Sequence, residues 1–146
     1  MYKRQHHFYW GDEHYALTVG PDRATRMNAC RTALDSGVPM AIHSDAPVTP
    51  LGPLFTAWAA VNRITASGRV QGEEEKIQVR EALWAITMGA AYTLHLDGEI
   101  GSIETGKKAD FAVLDADPTA CDPMLLKDIS VWGTVQGGRI FPAANL

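Results

Sequence analysis

Through residues 1–96 the chain alternates short apolar runs with long stretches of helical hydrophobic spacing, and this alternation limits its fold more than any other feature. Strands that alternate with long helices favour a parallel sheet, because parallel neighbours need a crossover between them. The aromatic run Gln5–Trp10, ending at the turn pair Gly11-Asp12, reads as a strand. Gly20-Pro21-Asp22 opens a helix that should run to about Ser36, with Gly37 as its stop. Val38–His43 reads as a buried strand entered through Pro39. A second helix is expected from Pro53 to about Ser67, with Leu54, Ala57, Trp58, Val61 and Ile64 on one face. A third is expected over 78–94, striped by Val79, Ala82, Leu83, Ile86, Ala90 and Leu94, and the Glu73-Glu74-Glu75 run before it reads as solvated surface.

After Leu96 the texture changes to short strands, Phe111–Leu114 and Ile129–Gln136, with Gly137-Gly138 as a hairpin signal before Arg139-Ile140-Phe141. The expectation is an α/β chain in two parts, 1–96 and 97–146. Two strand–helix units cannot close a barrel, which takes about 250 residues, so further strands are expected upstream.

Composition narrows the class. The chain is 46% hydrophobic and 21% charged, as globular domains are. Its net charge of −4, without a basic block, argues against nucleic acid, which needs clustered cations. Cys30 and Cys121 are far apart and outside any paired spacing, which suits a reducing cytoplasm. No stretch approaches the roughly 20 apolar residues of a membrane span, and no apolar run follows the positive start Lys3-Arg4 as a signal peptide requires.

The strongest chemical signal is His43-Ser44-Asp45-Ala46-Pro47 at the end of the expected strand. His43 and Asp45, two apart, project to one side of a strand. A carboxylate there can bind a divalent metal or take a proton from water that a metal activates. The same Asp before Ala-Pro also suits a turn starter, and spacing alone leaves both readings open. In the first cluster, His6 and His7 would point oppositely on a strand and could not share one metal. Gly101–Lys108 nearly spells a phosphate-binding loop, but Lys108 replaces the required hydroxyl and a strand follows, so nucleotide binding is rejected.

These motifs in order, His6-x-x-x-Trp10-Gly11-Asp12, Gly20-Pro21-x-Arg23-Ala24, Ser44-Asp45-Ala46-Pro47-Val48 and Gly101-Ser102-Ile103-x-x-Gly106-Lys107-x-Ala109-Asp110-Phe111, resemble the C-terminal third of amidohydrolase family 3. The likeness is nearer to its N-substituted formamide deformylase-like branch, and it runs from about Gln5 to Phe141. It implies the last two β/α units of a (β/α)8 barrel, with strands seven and eight in residues 5–45, plus the C-terminal part of a small β-sandwich. It implies that Asp45 is a metal ligand and proton shuttle, that His6 and Trp10 line the substrate pocket, and that His43 stands close behind them. The metal would be divalent, zinc by this likeness, and the family's His-x-His pair, lysine and two further histidines would lie upstream of Met1.

Three functions compete. The chain belongs to a hydrolase of non-peptide carbon–nitrogen bonds acting on amide-type small molecules, or it docks onto missing barrel strands without activity of its own, or its His6–Trp10 segment binds a small molecule. Unpaired barrel strands would also favour self-association.

Overall fold

A short parallel pair organises the first half. In the computed structural model, which describes residues 2–144, β1 (Tyr2–Lys3) pairs with β2 (Ile42–His43), placing Tyr2 opposite Ile42 and Lys3 opposite His43. The crossover between them is helical: α1 (Arg4–Glu13), a π-helical turn (His14–Thr18), α2 (Pro21–Thr25) and α3 (Cys30–Asp35).

The segment 5–10, expected as a strand, is instead the middle of α1, and the strand lies just before it. Buried polar side chains hold this helix in place. Arg4, Gln5 and His7 are each fully buried. Arg4 Nη2 donates to the Ala59 carbonyl (2.9 Å), Gln5 Nε2 to Thr56 Oγ1 (2.9 Å) and His7 Nε2 to the Arg63 carbonyl (3.1 Å). Buried polar groups must find partners, and here the partners lie on the element that α1 packs against.

That element is α4 (Pro53–Asn62), whose Ala57, Trp58, Ala59 and Ala60 are buried at the centre of the core with Met40, Ile42, Ile77, Ala82 and Leu126. Its alanines allow neighbouring backbones to approach closely. It ends earlier than its apolar stripe suggested, at Arg63, whose φ of 53° is left-handed. Residues 64–70 then form a tight turn closed by an Ile64–Val70 bridge.

Arg63 also explains why the helix expected over 21–36 is two short ones. Its buried guanidinium takes carbonyls that a continuous helix would use: Nη2 donates to those of Thr25 (2.9 Å) and Met27 (3.1 Å), and Nη1 to that of Asn28 (3.2 Å). Arg4 Nη1 reaches the same Asn28 oxygen (2.8 Å). Carbonyls turned toward these guanidiniums no longer point along a helix axis.

The third expected helix is likewise broken, into α5 (Val79–Ile86) and α6 (Met88–Thr93), at Thr87, whose hydroxyl donates back to the Leu83 carbonyl (2.8 Å). A capping box between Gln78 and Glu81 starts α5. The acidic run is not all solvated surface. Glu75 is buried and accepts from the Thr32 amide (2.9 Å) and hydroxyl, which ties α3 to this loop.

The remaining strands, β3 (Phe111–Leu114), β4 (Val131–Gln136) and β5 (Arg139–Pro142), form an antiparallel sheet in that order. Gly137 and Gly138 turn the β4–β5 hairpin with φ of 56° and 79°, the left-handed pair a two-residue turn needs. A 3-10 segment, Pro123–Asp128, fastens this sheet to α4. Leu126 is fully buried there, Trp58 Nε1 donates to the Met124 carbonyl (2.9 Å), and Asn62 Nδ2 to that of Pro123 (2.9 Å). The sheet itself leaves Trp132, Ile140 and Phe141 exposed. No helix among the described residues is long and apolar enough to cross a membrane.

Candidate active site

Beyond His43 the backbone leaves β2 and turns at Asp45, whose φ of 69° is left-handed, a conformation Asp tolerates better than most residues. The turn is closed without the Asp45 side chain. The Val48 amide donates to the Asp45 carbonyl (2.9 Å), the Thr49 hydroxyl to the Ser44 carbonyl, and the Ala46 amide to Ser44 Oγ (3.3 Å). The local side-chain bond expected of a turn-starting aspartate is made by Ser44.

The Asp45 carboxylate instead faces the C-terminal ends of β1 and the start of α1. Its Oδ2 lies 2.9 Å from Lys3 Nζ and 3.2 Å from His6 Nε2. The Lys3 ammonium, hydrogen-bonded to it, holds the carboxyl below the usual range, helped by the nearby His6 and His43. Close as it is, His6 Nε2 is not aligned for a hydrogen bond, so this buried nitrogen keeps its bonding capacity unspent. His43, opposite Lys3 in the strand register, has its pKa lowered by burial and by the Lys3 charge, against the pull of Asp45.

One helical turn beyond His6, Trp10 packs edge-on against it, with ring centres 4.8 Å apart and planes at 66°. From Trp10 an aromatic row continues through Tyr9 (5.7 Å) to Phe55 (6.0 Å), which stacks on Trp58 at 5.4 Å and 12°. His6 and His7 diverge as expected, although on a helix they do so by about 100°. His7 enters the core, where burial first, then the Arg4 and Arg63 charges, push its pKa down to about 3. A neutral ring donating from Nε2 leaves Nδ1 bare, and no partner among the described residues meets it.

Asp45, His6, Trp10 and His43 are therefore gathered at one end of the parallel pair. Sequence reasoning missed Lys3, taken only as part of a positive start; a lysine at the end of a two-residue strand carries no periodic signal. It also assigned no role to Asp12, which binds the turn after α4. As a cation site the cluster is partial: it offers one carboxylate and one unspent imidazole nitrogen. No group of three candidate ligands occurs among the described residues.

The sequence matches the model of the amidohydrolase family over residues 3–142. It is 34% identical over 140 residues to the YtcJ protein of Bacillus subtilis strain 168, covering 93% of this chain and 26% of that one. It is 32% identical over 131 residues to the N-substituted formamide deformylase of Arthrobacter pascens, covering 90% of this chain and 24% of that enzyme. A metal-dependent hydrolase from Pyrococcus horikoshii OT3 shares the fold with a TM-score of 0.65 at 23% identity, over 82% of this chain and 24% of that one. The chain thus spans about a quarter of the length of the curated relatives it matches. With the match running from β1 to β5, the chain belongs to amidohydrolase family 3.

Proposed function

We propose that this chain contributes one end of the active site of a metal-dependent hydrolase of non-peptide carbon–nitrogen bonds, acting on amides or formamides. The convergence of Lys3, His6 and His43 on the Asp45 carboxylate, at the C-terminal end of β1 and β2, carries this reading. It is the end at which barrel enzymes assemble their sites. In this proposal β1 and β2 are strands seven and eight of a (β/α)8 barrel, residues 1–96 form its last two units, and residues 97–146 are the C-terminal share of a β-sandwich.

The residues present fit one corner of a metal centre. Asp45 would hold a divalent cation, zinc in this proposal, together with ligands from outside this chain, since a catalytic zinc takes about three protein ligands. When bound, the cation supplies Lewis acidity toward a water and a carbonyl oxygen. Asp45 itself accepts the proton that the attacking water gives up and returns it to the leaving nitrogen. With Lys3 hydrogen-bonded to it, the carboxyl is ionised at neutral pH. His6 offers its unspent Nε2 to the substrate, Trp10 presents an apolar wall beside it, and His43 backs the carboxylate. Two free thiols, with Cys30 buried, support a cytoplasmic setting.

A second reading is favoured by the incomplete ligand set and by the exposed apolar residues of the β3–β5 sheet: the chain acts only by docking with the missing barrel portion. Elemental analysis and an amide-hydrolysis screen, run on the chain combined with the barrel portion that supplies the other ligands, and on the same assembly carrying Asp45→Asn, separate the two. Bound zinc, with hydrolysis lost in Asp45→Asn, is the expected result. Hydrolysis unchanged in Asp45→Asn overturns the proposal. Neither zinc nor hydrolysis in the unaltered assembly also overturns it and leaves the docking reading.

A further inference from the structure

The Trp10-Gly11-Asp12 motif has a function the site geometry does not use directly. Asp12 closes α1 by gripping the tight turn after α4. Its Oδ1 accepts from the hydroxyls of Thr65 (2.8 Å) and Ser67 (2.7 Å), its Oδ2 from the Ser67 amide (3.0 Å), and Arg69 Nε lies 3.6 Å away. Burial raises the carboxyl's pKa, but the Ser67 and Thr65 bonds outweigh it and leave it below the usual range. The Ala66 amide adds a backbone bond to the Phe8 carbonyl (2.9 Å). Gly11 permits this approach, because a side chain there would place its Cβ 2.7 Å from Thr65 Cγ2.

The anchors of α1 are unevenly divided. Arg4, Gln5 and His7 fix its first half to α4 and to residue 28. Its last turn, which carries Trp10, is held by Gly11 and Asp12, while the π-helical turn that follows has no buried residue, leaves Leu17 80% exposed and meets the same 64–70 turn through Arg69 over the Tyr15 ring (4.0 Å). Three accepted bonds to a charged group are strong for their number.

We propose that Gly11 and Asp12 form a positioning clamp: seated on Thr65 and Ser67, they hold the last turn of α1 so that the Trp10 ring stays against His6 beside Asp45. Asp12 is a positioning residue in this account, acting through Trp10. The inference rests on the reading of His6 and Trp10 as the pocket wall, but its test does not require turnover.

Trp10 sits edge-on to the His6 ring at 4.8 Å, so its ring current displaces the His6 ring-proton resonances, and Trp10→Leu in the full chain defines the undisplaced positions. Under native conditions Asp12→Ala should move the His6 signals to those positions and speed amide exchange at residues 10–13 by about tenfold or more, as loss of bonds to a charged acceptor implies. Asp12→Asn, which keeps an acceptor for both hydroxyls, should retain most of the displacement. Leu126→Ala, which destabilises the core where the 3-10 segment meets α4 without touching the Asp12 bonds, should leave it intact. Should Asp12→Ala not fold, Thr65→Val with Ser67→Ala removes both hydroxyl donors, leaving only the residue-67 amide, and carries the same expectation for the His6 signals. His6 signals unchanged in Asp12→Ala or in the double variant overturn the clamp, as does an equal loss in Leu126→Ala. Failure of the hydrolase reading shows itself separately, as turnover indifferent to Asp45→Asn.

Discussion

His7 should make this fold acid-labile well above the range where carboxylates titrate. It is fully buried, and burial, then the Arg4 and Arg63 charges, lower its pKa to about 3. In the unfolded chain the same ring titrates at about 6.5. The sign follows directly: the native ring refuses a proton that the unfolded ring accepts. Stability is therefore whole above pH 6.5 and falls as pH drops below it, at up to about 1.4 kcal/mol per pH unit, until the native ring itself protonates near pH 3. Between pH 7.5 and pH 5 the loss from this one group is about 2 kcal/mol, a large fraction of a stability of roughly 5–15 kcal/mol. Burial lowers His43 as well, which adds in the same direction. The assay is the urea midpoint measured across this range for the protein and for His7→Gln, whose amide can still donate to the Arg63 carbonyl. The unaltered chain should lose stability over pH 7.5–5 and the variant should lose about 2 kcal/mol less. Parallel pH profiles for the two proteins would refute the reasoning, whatever their absolute stabilities.

Two other predictions concern the frame around the site. Arg63 donates to the carbonyls of Thr25, Met27, Asn28 and Gln71 from a fully buried position. Arg63→Met should cost about 3 kcal/mol or more, since an orphaned buried acceptor costs roughly 1–3 kcal/mol, and Arg63→Lys should recover only part of it; a denaturation midpoint within error of the unaltered protein would contradict this. The exposed Trp132, Ile140 and Phe141 of the β-sheet should drive self-association, so Trp132→Thr with Ile140→Thr should shift sedimentation toward a monomer; an unchanged sedimentation profile would place association elsewhere.

The elements legible in the sequence were those whose hydrophobic spacing and turn chemistry suffice to define them. The α4 stripe, the Val38–His43 run ending at β2, and the Gly137-Gly138 hairpin are of this kind. α1 was misread because its buried face is Arg4, Gln5 and His7. Polar residues buried by long-range hydrogen bonds leave no apolar period, while its aromatics mimic a strand. The interruption at residues 26–29 and the burial of Glu75 have the same cause: a guanidinium or hydroxyl from another segment claims backbone groups or supplies a partner, which no local window contains, whereas the break at Thr87 is local, its hydroxyl bonding the Leu83 carbonyl four residues back. Within the candidate site, the order of the motifs singled out Asp45, His6, Trp10 and His43, which the fold brings to one end of the parallel pair. Their meeting depends on the parallel register of Lys3 with His43, and that register emerges only when α1 is a helix. The hold of Asp12 on Thr65 and Ser67 spans more than fifty residues, so it lies beyond any local reading.

The central claim is that Asp45 is a ligand of a catalytic cation. Diffraction from zinc-soaked crystals, recorded at the zinc absorption edge, tests it most directly. The account predicts an anomalous peak about 2.0–2.2 Å from an Asp45 carboxylate oxygen, with the Lys3 ammonium displaced from its present 2.9 Å contact. A zinc peak elsewhere, with the Lys3–Asp45 pair undisturbed, would contradict it.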